Sequence, residues 1–138
     1  MTNEYDLPYP QVQVKRSRAG LGLFAAEDIK KDQLIIEYTG DRINDAEADR
    51  RGGKYLFTVT DDLFLDGKDR RHTARYLNHS CRPNAEAEHE TTEDRIYIRA
   101  KKRIPAGEEI TYHYGQEYFK QLIKPVGCKC TYCQGKKI

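Results

Sequence analysis

The chain has 138 residues and a mass of 16.1 kDa, enough for one domain that buries a core without disulfides. With 33% charged residues, 38% hydrophobic residues and a net charge of +2, the composition excludes collagen and strongly disordered chains and does not favour a nucleic-acid binder. No apolar run is long enough to span a membrane, and residues 1–9 lack the apolar segment of a secretory signal, so we expect a soluble intracellular protein.

Most of the predicted elements are short strands. Val12 and Val14 alternate with polar residues, which predicts a half-buried strand, and residues 34–38 (Leu-Ile-Ile-Glu-Tyr) predict a buried one. Further strands are predicted in two hairpins and after a Pro-Ala-Gly turn: residues 55–60 with 63–65, residues 85–89 with 95–100, and residues 109–114.

Helical signals are few. Asn44, with Glu47 three residues later, resembles a capping box and predicts a short helix that ends near Arg51. Residues 116–123 predict a second helix, because its apolar side chains share one face. Many closely spaced short strands with few helices predict a mostly β domain.

The four cysteines indicate a metal site. Cys128, Cys130 and Cys133 lie within six residues, and the first two are too close for a relaxed disulfide. Three thiolates on a tight loop suit zinc, which prefers four ligands, and Cys81 is the remaining cysteine of the chain. The sequence therefore predicts one structural zinc ion bound by these four residues. A cluster of reduced, exposed thiols without metal is the alternative.

Two segments are dense in polar or aromatic side chains. Residues 75–84 (Arg-Tyr-Leu-Asn-His-Ser-Cys-Arg-Pro-Asn) form a polar run in an apolar frame, and residues 108–115 place Tyr112 and Tyr114 on one face of a strand. The alternatives are a loop with side-chain turns for the first segment and a tyrosine ladder on an exposed sheet for the second. A third segment, residues 20–22 (Gly-Leu-Gly), indicates by itself only a turn or a close approach of backbone to a ligand.

Taken in order, these motifs resemble the SET-domain family of protein lysine methyltransferases. The resemblance covers about residues 12–134 and is carried by the following motifs: Gly20-Leu21-Gly22, Tyr38-Thr39-Gly40, Tyr55-Leu56-Phe57, residues 75–84 and residues 109–114. It implies a fold of small curled β-sheets with a knot-like core and short helices. It also implies an N-terminal segment at residues 1–11, the SET domain at residues 12–115 and a post-SET-like zinc-binding segment at residues 116–138.

The resemblance implies S-adenosylmethionine as the cofactor and a protein lysine as the methyl acceptor. The residues implied to hold the cofactor are Gly20, Leu21, Gly22, Tyr55, Arg75, Asn78 and His79. The residues implied to wall a lysine channel are Tyr38, Phe57, Tyr112 and Tyr114, with Tyr114, Tyr112 and Tyr38 as the catalytic set. The ten tyrosines of the chain then have a use, since a dry aromatic channel attracts a cation.

The chemistry implied by this resemblance needs a neutral lysine. A desolvating channel beside a positive sulfonium lowers the lysine pKa from about 10.4, so the proton can leave to water without a strong base. We expect the Tyr114 hydroxyl to orient the amine. Tyr112 occupies the position at which a tyrosine, in this family, tends to restrict the product to one methyl group, so we expect mainly monomethylation.

The chain departs from the family pattern in three places. The last cysteine gap holds two residues rather than four, His113 replaces an aspartate, and the segment between Gly40 and Tyr55 is short. The first two leave the zinc site and the catalytic tyrosine as expected, because a gap of two still places three sulfurs on one ion and His113 should point away from Tyr114. The third makes the substrate the least transferable property.

The expected partner is a lysine-containing basic protein such as a histone, with nucleic acid involved only indirectly and no membrane. An acidic run at residues 86–94 would steer such a substrate, although a solvated charged hairpin is an equal alternative. The expected location is the nucleus in a eukaryote and the cytoplasm or nucleoid in a microbe. Two other functions stay open: a catalytically silent SET-like peptide-binding module and a small zinc-stabilised nucleic-acid-associated protein.

Overall fold

The computed structural model describes residues 8–17, 20–52 and 56–114, and over these residues it confirms a mostly β domain. An α-helix, α1, covers Asp45–Arg51, and a 3₁₀ helix covers Thr73–Tyr76. The strands of this part are β1 (Val12–Ser17), β2 (Gly20–Ala25), β3 (Leu34–Tyr38), β4 (Asp41–Ile43), β5 (Leu56–Thr60), β6 (Leu63–Asp66), β7 (Asn78–His79), β8 (Ala85–Glu90), β9 (Arg95–Ala100) and β10 (Glu109–Tyr112).

These strands form three small sheets, with the orders β1-β2-β10-β7, β3-β9-β8 and β4-β6-β5. The predicted strands at residues 12–14 and 34–38 and the two predicted hairpins are confirmed, as β1, β3, β5–β6 and β8–β9. The expected half-burial of the first strand is wrong for Val14, which is 38% exposed because β1 lies at the edge of its sheet. Helix α1 is confirmed together with its cap, because the Glu47 N–H donates to Asn44 Oδ1 at 2.9 Å. The predicted second helix and the post-SET-like segment lie outside the described residues.

Strand β2 contains the Gly-Leu-Gly triplet, which by itself indicates a turn or a close approach of backbone to a ligand. It pairs with β1 along its whole length, from Val12 opposite Ala25 to Ser17 opposite Gly20. Leu23 and Ala25 are 0% and 2% exposed, so its inward face joins the core. Two glycines lower the strand signal of this segment, and only the pairing with β1 and β10 overrides it.

Strand β10 organises the sheet that carries the sequence motifs. It pairs antiparallel with β2, with Ile110 opposite Leu23, and parallel with the two-residue strand β7, with Tyr112 opposite His79. The strand ends at Tyr112, two residues before the predicted end. Segments 20–22 and 78–79 are therefore held on the two sides of β10.

The three sheets share one core, and none of the helices among the described residues is long and apolar enough to cross a membrane. The largest fully buried side chains are Leu23, Ile29, Ile35, Leu77, Ile98, Ile104 and Ile110. Gly40 lies where β3 leads into β4, and a Cβ there would come within 2.8 Å of the Asp66 carbonyl carbon and oxygen. This close approach of two backbones requires glycine at position 40.

Candidate active site

An aromatic cluster lies among elements of all three sheets. Tyr38 ends β3, Phe57 lies on β5, Tyr112 ends β10, and Tyr114 follows two residues later. The ring centroids are 4.9 Å apart for Tyr38 and Phe57, 6.4 Å for Phe57 and Tyr112, and 5.1 Å for Tyr112 and Tyr114. The four residues predicted to wall a channel are therefore brought together, and we call them the aromatic cluster.

The aromatic cluster is largely shielded from water. Tyr38 and Tyr112 are each 6% exposed and belong to the core, while Phe57 and Tyr114 are half-buried and pack against it. The alternative of a tyrosine ladder on an exposed sheet face is thus wrong for Tyr112. Aromatic rings attract a cation most strongly where water is excluded, so such a cluster can receive the end of an alkylamine side chain.

Two hydrogen bonds hold Tyr114. Its hydroxyl donates to the Leu77 carbonyl at 2.6 Å, and its backbone N–H donates to His79 Nδ1 at 3.1 Å. Leu77 is only 2% exposed, so the hydroxyl is fixed at a buried site. A tyrosine hydroxyl that donates its proton still has an oxygen that can accept a hydrogen bond from an amine.

His79 is buried between the aromatic cluster and Cys81. It is 8% exposed, and its ring meets those of His113 and Tyr114 edge-on, with centroids 4.5 and 5.4 Å away. Burial, followed by electrostatic repulsion from the neighbouring His113, lowers the pKa of His79 to about 4, so the His79 ring is neutral at neutral pH. Because Nδ1 accepts the Tyr114 N–H, the ring proton is on Nε2, which lies 3.5 Å from Cys81 Sγ.

Asn78 connects β7 to both neighbouring strands. Its amide nitrogen lies 2.8 Å from Glu109 Oε2, 3.0 Å from the Leu21 carbonyl and 3.1 Å from Ser17 Oγ. A Cβ at Gly22 would collide with the Glu109 carboxylate and come within 3.0 Å of the Asn78 nitrogen. A side chain at position 22 would therefore displace the Glu109 carboxylate from the Asn78 amide.

The first half of the triplet, in contrast, faces open space. Gly20 has a φ of 102°, and a Cβ built there meets nothing within 4 Å. Leu21 is 51% exposed, although most large apolar side chains of the described residues are buried. An open, glycine-containing backbone beside the Asn78 amide and the Glu109 carboxylate fits a ligand that carries positive charge and hydrogen-bonding groups.

Arg75 lies in the 3₁₀ helix that precedes β7. Its Nη1 donates to the Tyr76 hydroxyl at 3.2 Å, and its guanidinium carbon lies 5.0 Å from the centroid of the Tyr76 ring. Both contacts are with the next residue of the same 3₁₀ helix. The remaining residue predicted to bind cofactor, Tyr55, lies outside the described residues.

Cys81 is partly exposed and reduced. The other predicted zinc ligands, Cys128, Cys130 and Cys133, lie outside the described residues, and within residues 8–17, 20–52 and 56–114 no three His, Cys, Asp or Glu side chains are grouped to hold a metal. Cys81 itself fits a zinc ligand, because a ligating sulfur is commonly oriented by an N–H donor and the Nε2–H of His79 faces it.

Asn84 has a role that sequence reasoning did not assign. It is 6% exposed, its Nδ2 donates to the Glu109 carbonyl at 2.8 Å, and its Oδ1 accepts the Thr111 N–H at 2.9 Å. The side chain thus replaces a strand partner for β10. The signal for it was its place at the end of the polar run, since a buried amide needs partners.

An open groove of about 440 Å³ adjoins the aromatic cluster through Tyr38. Its other lining residues come from β3, β4, β6 and β9 and from the β3–β4 and β8–β9 connections, and most of them are charged: Glu37, Thr39, Gly40, Arg42, Leu65, Glu93 and Arg95. Arg42 donates to the carbonyls of Glu93 and Asp94 at 3.1 Å, which joins the two walls of the groove.

The acidic run on the β8–β9 hairpin is largely paired. Arg99 donates to both carboxylate oxygens of Glu88, at 2.9 and 3.1 Å, and His89 Nε2 lies 2.8 Å from Asp94 Oδ1. Glu93 lies 2.8 Å from Arg95. These pairs favour the interpretation as a charged, solvated hairpin over that of a steering surface.

The family of the chain is shown by comparison with known proteins. A family model described as "SET domain" matches residues 20–115, and the chain therefore belongs to the SET-domain family. The human protein "Histone-lysine N-methyltransferase 2D" is 41% identical over 130 residues, which are 86% of this chain and 2% of that protein. The Schizosaccharomyces pombe "Histone-lysine N-methyltransferase, H3 lysine-4 specific" is 37% identical over 121 residues, 80% of this chain and 13% of that protein.

A solved structure shares the fold. It is described as a humanized mutant of the Chaetomium thermophilum Polycomb Repressive Complex 2 bound to the inhibitor GSK126, and it is 35% identical with a TM-score of 0.69. The match covers 78% of this chain and 15% of that one. The predicted SET fold is thereby confirmed, and the chain spans only a small part of the relatives it matches.

Proposed function

We propose that this chain is a protein-lysine N-methyltransferase that methylates the ε-amine of a lysine in a basic protein. The observation that carries the proposal is the aromatic cluster, whose members Tyr38, Phe57, Tyr112 and Tyr114 come from distant parts of the chain. The names of the relatives, histone-lysine N-methyltransferases, support the same activity. Histones are therefore the substrate class that we would test first.

The aromatic cluster addresses the main obstacle to lysine methylation, which is the proton on the amine. At neutral pH the protonated form of a free lysine is favoured by about 4 kcal/mol, and this form cannot attack a methyl group. A channel lined by buried rings removes water from the ammonium and lowers its pKa, so the neutral amine becomes accessible. The Tyr114 oxygen, held at the Leu77 carbonyl, can then orient the amine by a hydrogen bond.

The cofactor of this proposal is S-adenosylmethionine, which supplies an activated methyl group on a positively charged sulfur. Gly20, Leu21 and Gly22 would hold it along the open backbone of β2, together with Asn78 and His79 on β7 and with Tyr55 and Arg75. Because the donors of the Asn78 amide already point to protein acceptors, its oxygen Oδ1 is the atom available to such a ligand. The carboxylate of Glu109 provides a negative charge nearby.

The remaining parts of the proposal concern zinc and the product. One structural zinc ion would be bound by Cys81, Cys128, Cys130 and Cys133 and would clamp the C-terminal segment to β7. The product would be mainly monomethyl-lysine, because the hydroxyl of Tyr112 occupies space that a second methyl group would need. Metal analysis of protein purified without chelator tests the first part, and a preparation without zinc would contradict it.

The activity is tested by incubating the protein with labelled S-adenosylmethionine and a panel of basic proteins, followed by mass-spectrometric mapping of the modified lysines. Tyr114→Phe should lower the rate by a factor of about 10² or more while cofactor binding stays near normal, because one positioned hydroxyl is removed. Tyr97→Phe is the matched control, since Tyr97 is a buried tyrosine on β9 outside the aromatic cluster. Equal rates for Tyr114→Phe and Tyr97→Phe would show that the catalytic assignment is wrong.

A further inference from the structure

We propose that a cluster of exposed lysines at one end of the β3-β9-β8 sheet binds the phosphate backbone of double-stranded DNA. The cluster, which we call the basic platform, consists of Lys30, Lys31, Lys101 and Lys102. Binding of DNA there does not depend on the proposed function, whereas its use in bringing a DNA-bound substrate to the aromatic cluster does. The net charge of +2 conceals such a surface, because it averages over the whole chain.

The backbone brings the two lysine pairs together. Ile29 and Ile104 exchange two hydrogen bonds, at 2.8 and 2.9 Å, just before the first pair and just after the second. On the other side of the pairs, the Ala100 N–H donates to the Gln33 carbonyl at 2.9 Å. The Lys30 N–H is also held, by Gln33 Oε1 at 2.9 Å. The two short segments that carry the lysines therefore run side by side between fixed points.

The charges of the basic platform are not neutralised within the part of the chain that the structure describes. No described carboxylate forms an ion pair with any of the four lysines, whereas Arg103 beside them pairs with Asp28 at 3.0 Å. Residues 30–32 and 101–103 contain five cations and one acid, Asp32. The platform holds four of the six described lysines, and all four are exposed. Such a concentration of unpaired cations creates a positive potential that attracts an anion.

The surroundings of the basic platform favour a phosphate backbone over an acidic protein. A protein interface is organised around apolar side chains that become buried at its centre. The large apolar side chains that are exposed among the described residues are Val14 and Leu21, which lie on β1 and β2 and not on the platform. Flexible lysines without apolar neighbours suit contacts with phosphates, which require charge and carry no sequence information.

Strand β3 runs from the basic platform to the aromatic cluster. It begins at Leu34, shortly after Lys31, and ends at Tyr38. Four steps of about 3.3 Å separate its ends by about 13 Å, and about four extended residues of a substrate span that distance. A lysine in a segment that emerges from a DNA-bound protein, such as a histone, can then reach the aromatic cluster while the DNA lies on the platform.

The test is fluorescence anisotropy with a labelled DNA duplex of about 20 base pairs at increasing salt. If each lysine contacts one phosphate, the affinity of the wild type should fall by about 100-fold between about 50 and 200 mM salt. Lys31→Gln combined with Lys102→Gln removes two contacts, so the fall should be only about 10-fold, and Lys102→Gln alone should give about 30-fold. Lys68→Gln is the matched control, because it removes the same charge from an exposed lysine beyond the end of β6, and it should behave as the wild type.

Three results would overturn the proposal: no binding of the duplex by the wild type at low salt, equal effects of Lys68→Gln and Lys102→Gln, or tighter binding of polyglutamate than of DNA. Methyl transfer gives a second measurement. The double variant should methylate a free histone as fast as the wild type but a nucleosome more slowly, and equal rates on the nucleosome would refute the link to the aromatic cluster. Absence of methyl transfer from the wild type to any histone would refute the proposed function alone, because the anisotropy measurement needs no turnover.

Discussion

Residues 78–84 and the β8–β9 hairpin follow one another in the chain, and both are rich in polar side chains, but they use them in opposite ways. In residues 78–84 the amides of Asn78 and Asn84 turn inward and bind β2 and β10. In the hairpin, Glu88 pairs with Arg99 at the surface. A polar run framed by buried apolar residues therefore organises a site, whereas charges on alternating positions of an edge strand mainly keep the sheet soluble.

The largest effect expected from this comparison is the loss of the Asn84 side chain. Asn84→Ala leaves the Glu109 carbonyl and the Thr111 N–H without their partner at a buried position, and each orphaned group costs about 1–3 kcal/mol. We expect the free energy of unfolding, measured in urea, to fall by about 3 kcal/mol. Asn44→Ala is the matched control, because it removes the cap of α1 at the surface and should cost only about 1 kcal/mol. Equal losses would contradict an inward role for Asn84.

Tyr112→Phe distinguishes what the backbone of β10 contributes to stability from what the Tyr112 hydroxyl contributes to the choice of product. The Tyr112 carbonyl accepts the Ser80 N–H at 3.1 Å whatever the side chain, so stability should change by less than about 1 kcal/mol. Removal of the hydroxyl frees space and displaces any water bound to it, so products should shift toward di- and trimethyl-lysine while the first transfer is retained. Mass spectra of early time points measure the ratio. Abundant trimethyl-lysine from the unmodified protein would refute the expected monomethylation.

The smallest effect should come from the hairpin. Glu88→Gln removes the charge of the two-bond pair with Arg99 but keeps most of its shape, and both side chains reach solvent. Surface pairs contribute about 0–1 kcal/mol, so the substitution should hardly change the urea midpoint. At high salt the change should be smaller still, because the charges are screened. A loss as large as that of Asn84→Ala would mean that the hairpin, too, carries an inward network.

The sequence was sufficient to predict those elements whose formation depends on residues that are neighbours in the chain. The β8–β9 hairpin and α1 were predicted because a strand shows itself by alternation and a helix by its cap, and both operate over a few neighbouring residues. Strand β4 was missed because three residues carry no period, and the 3₁₀ helix was missed because it has no side-chain cap. Tyr114 was placed on the strand, but the strand ends at Tyr112.

The sequence by itself determined the mostly β class, the family and the set of aromatic residues. Alternation of apolar and polar residues and the order of motifs along the chain can both be recognised without a structure. Only the tertiary structure decided what those residues touch. The parallel pairing of β7 with β10, the clamp of Asn84 on β10 and the contact of His79 with Tyr114 join positions that are 25 to 35 residues apart. No local pattern encodes such contacts, since they arise when buried polar groups must find partners after the chain has closed around its core.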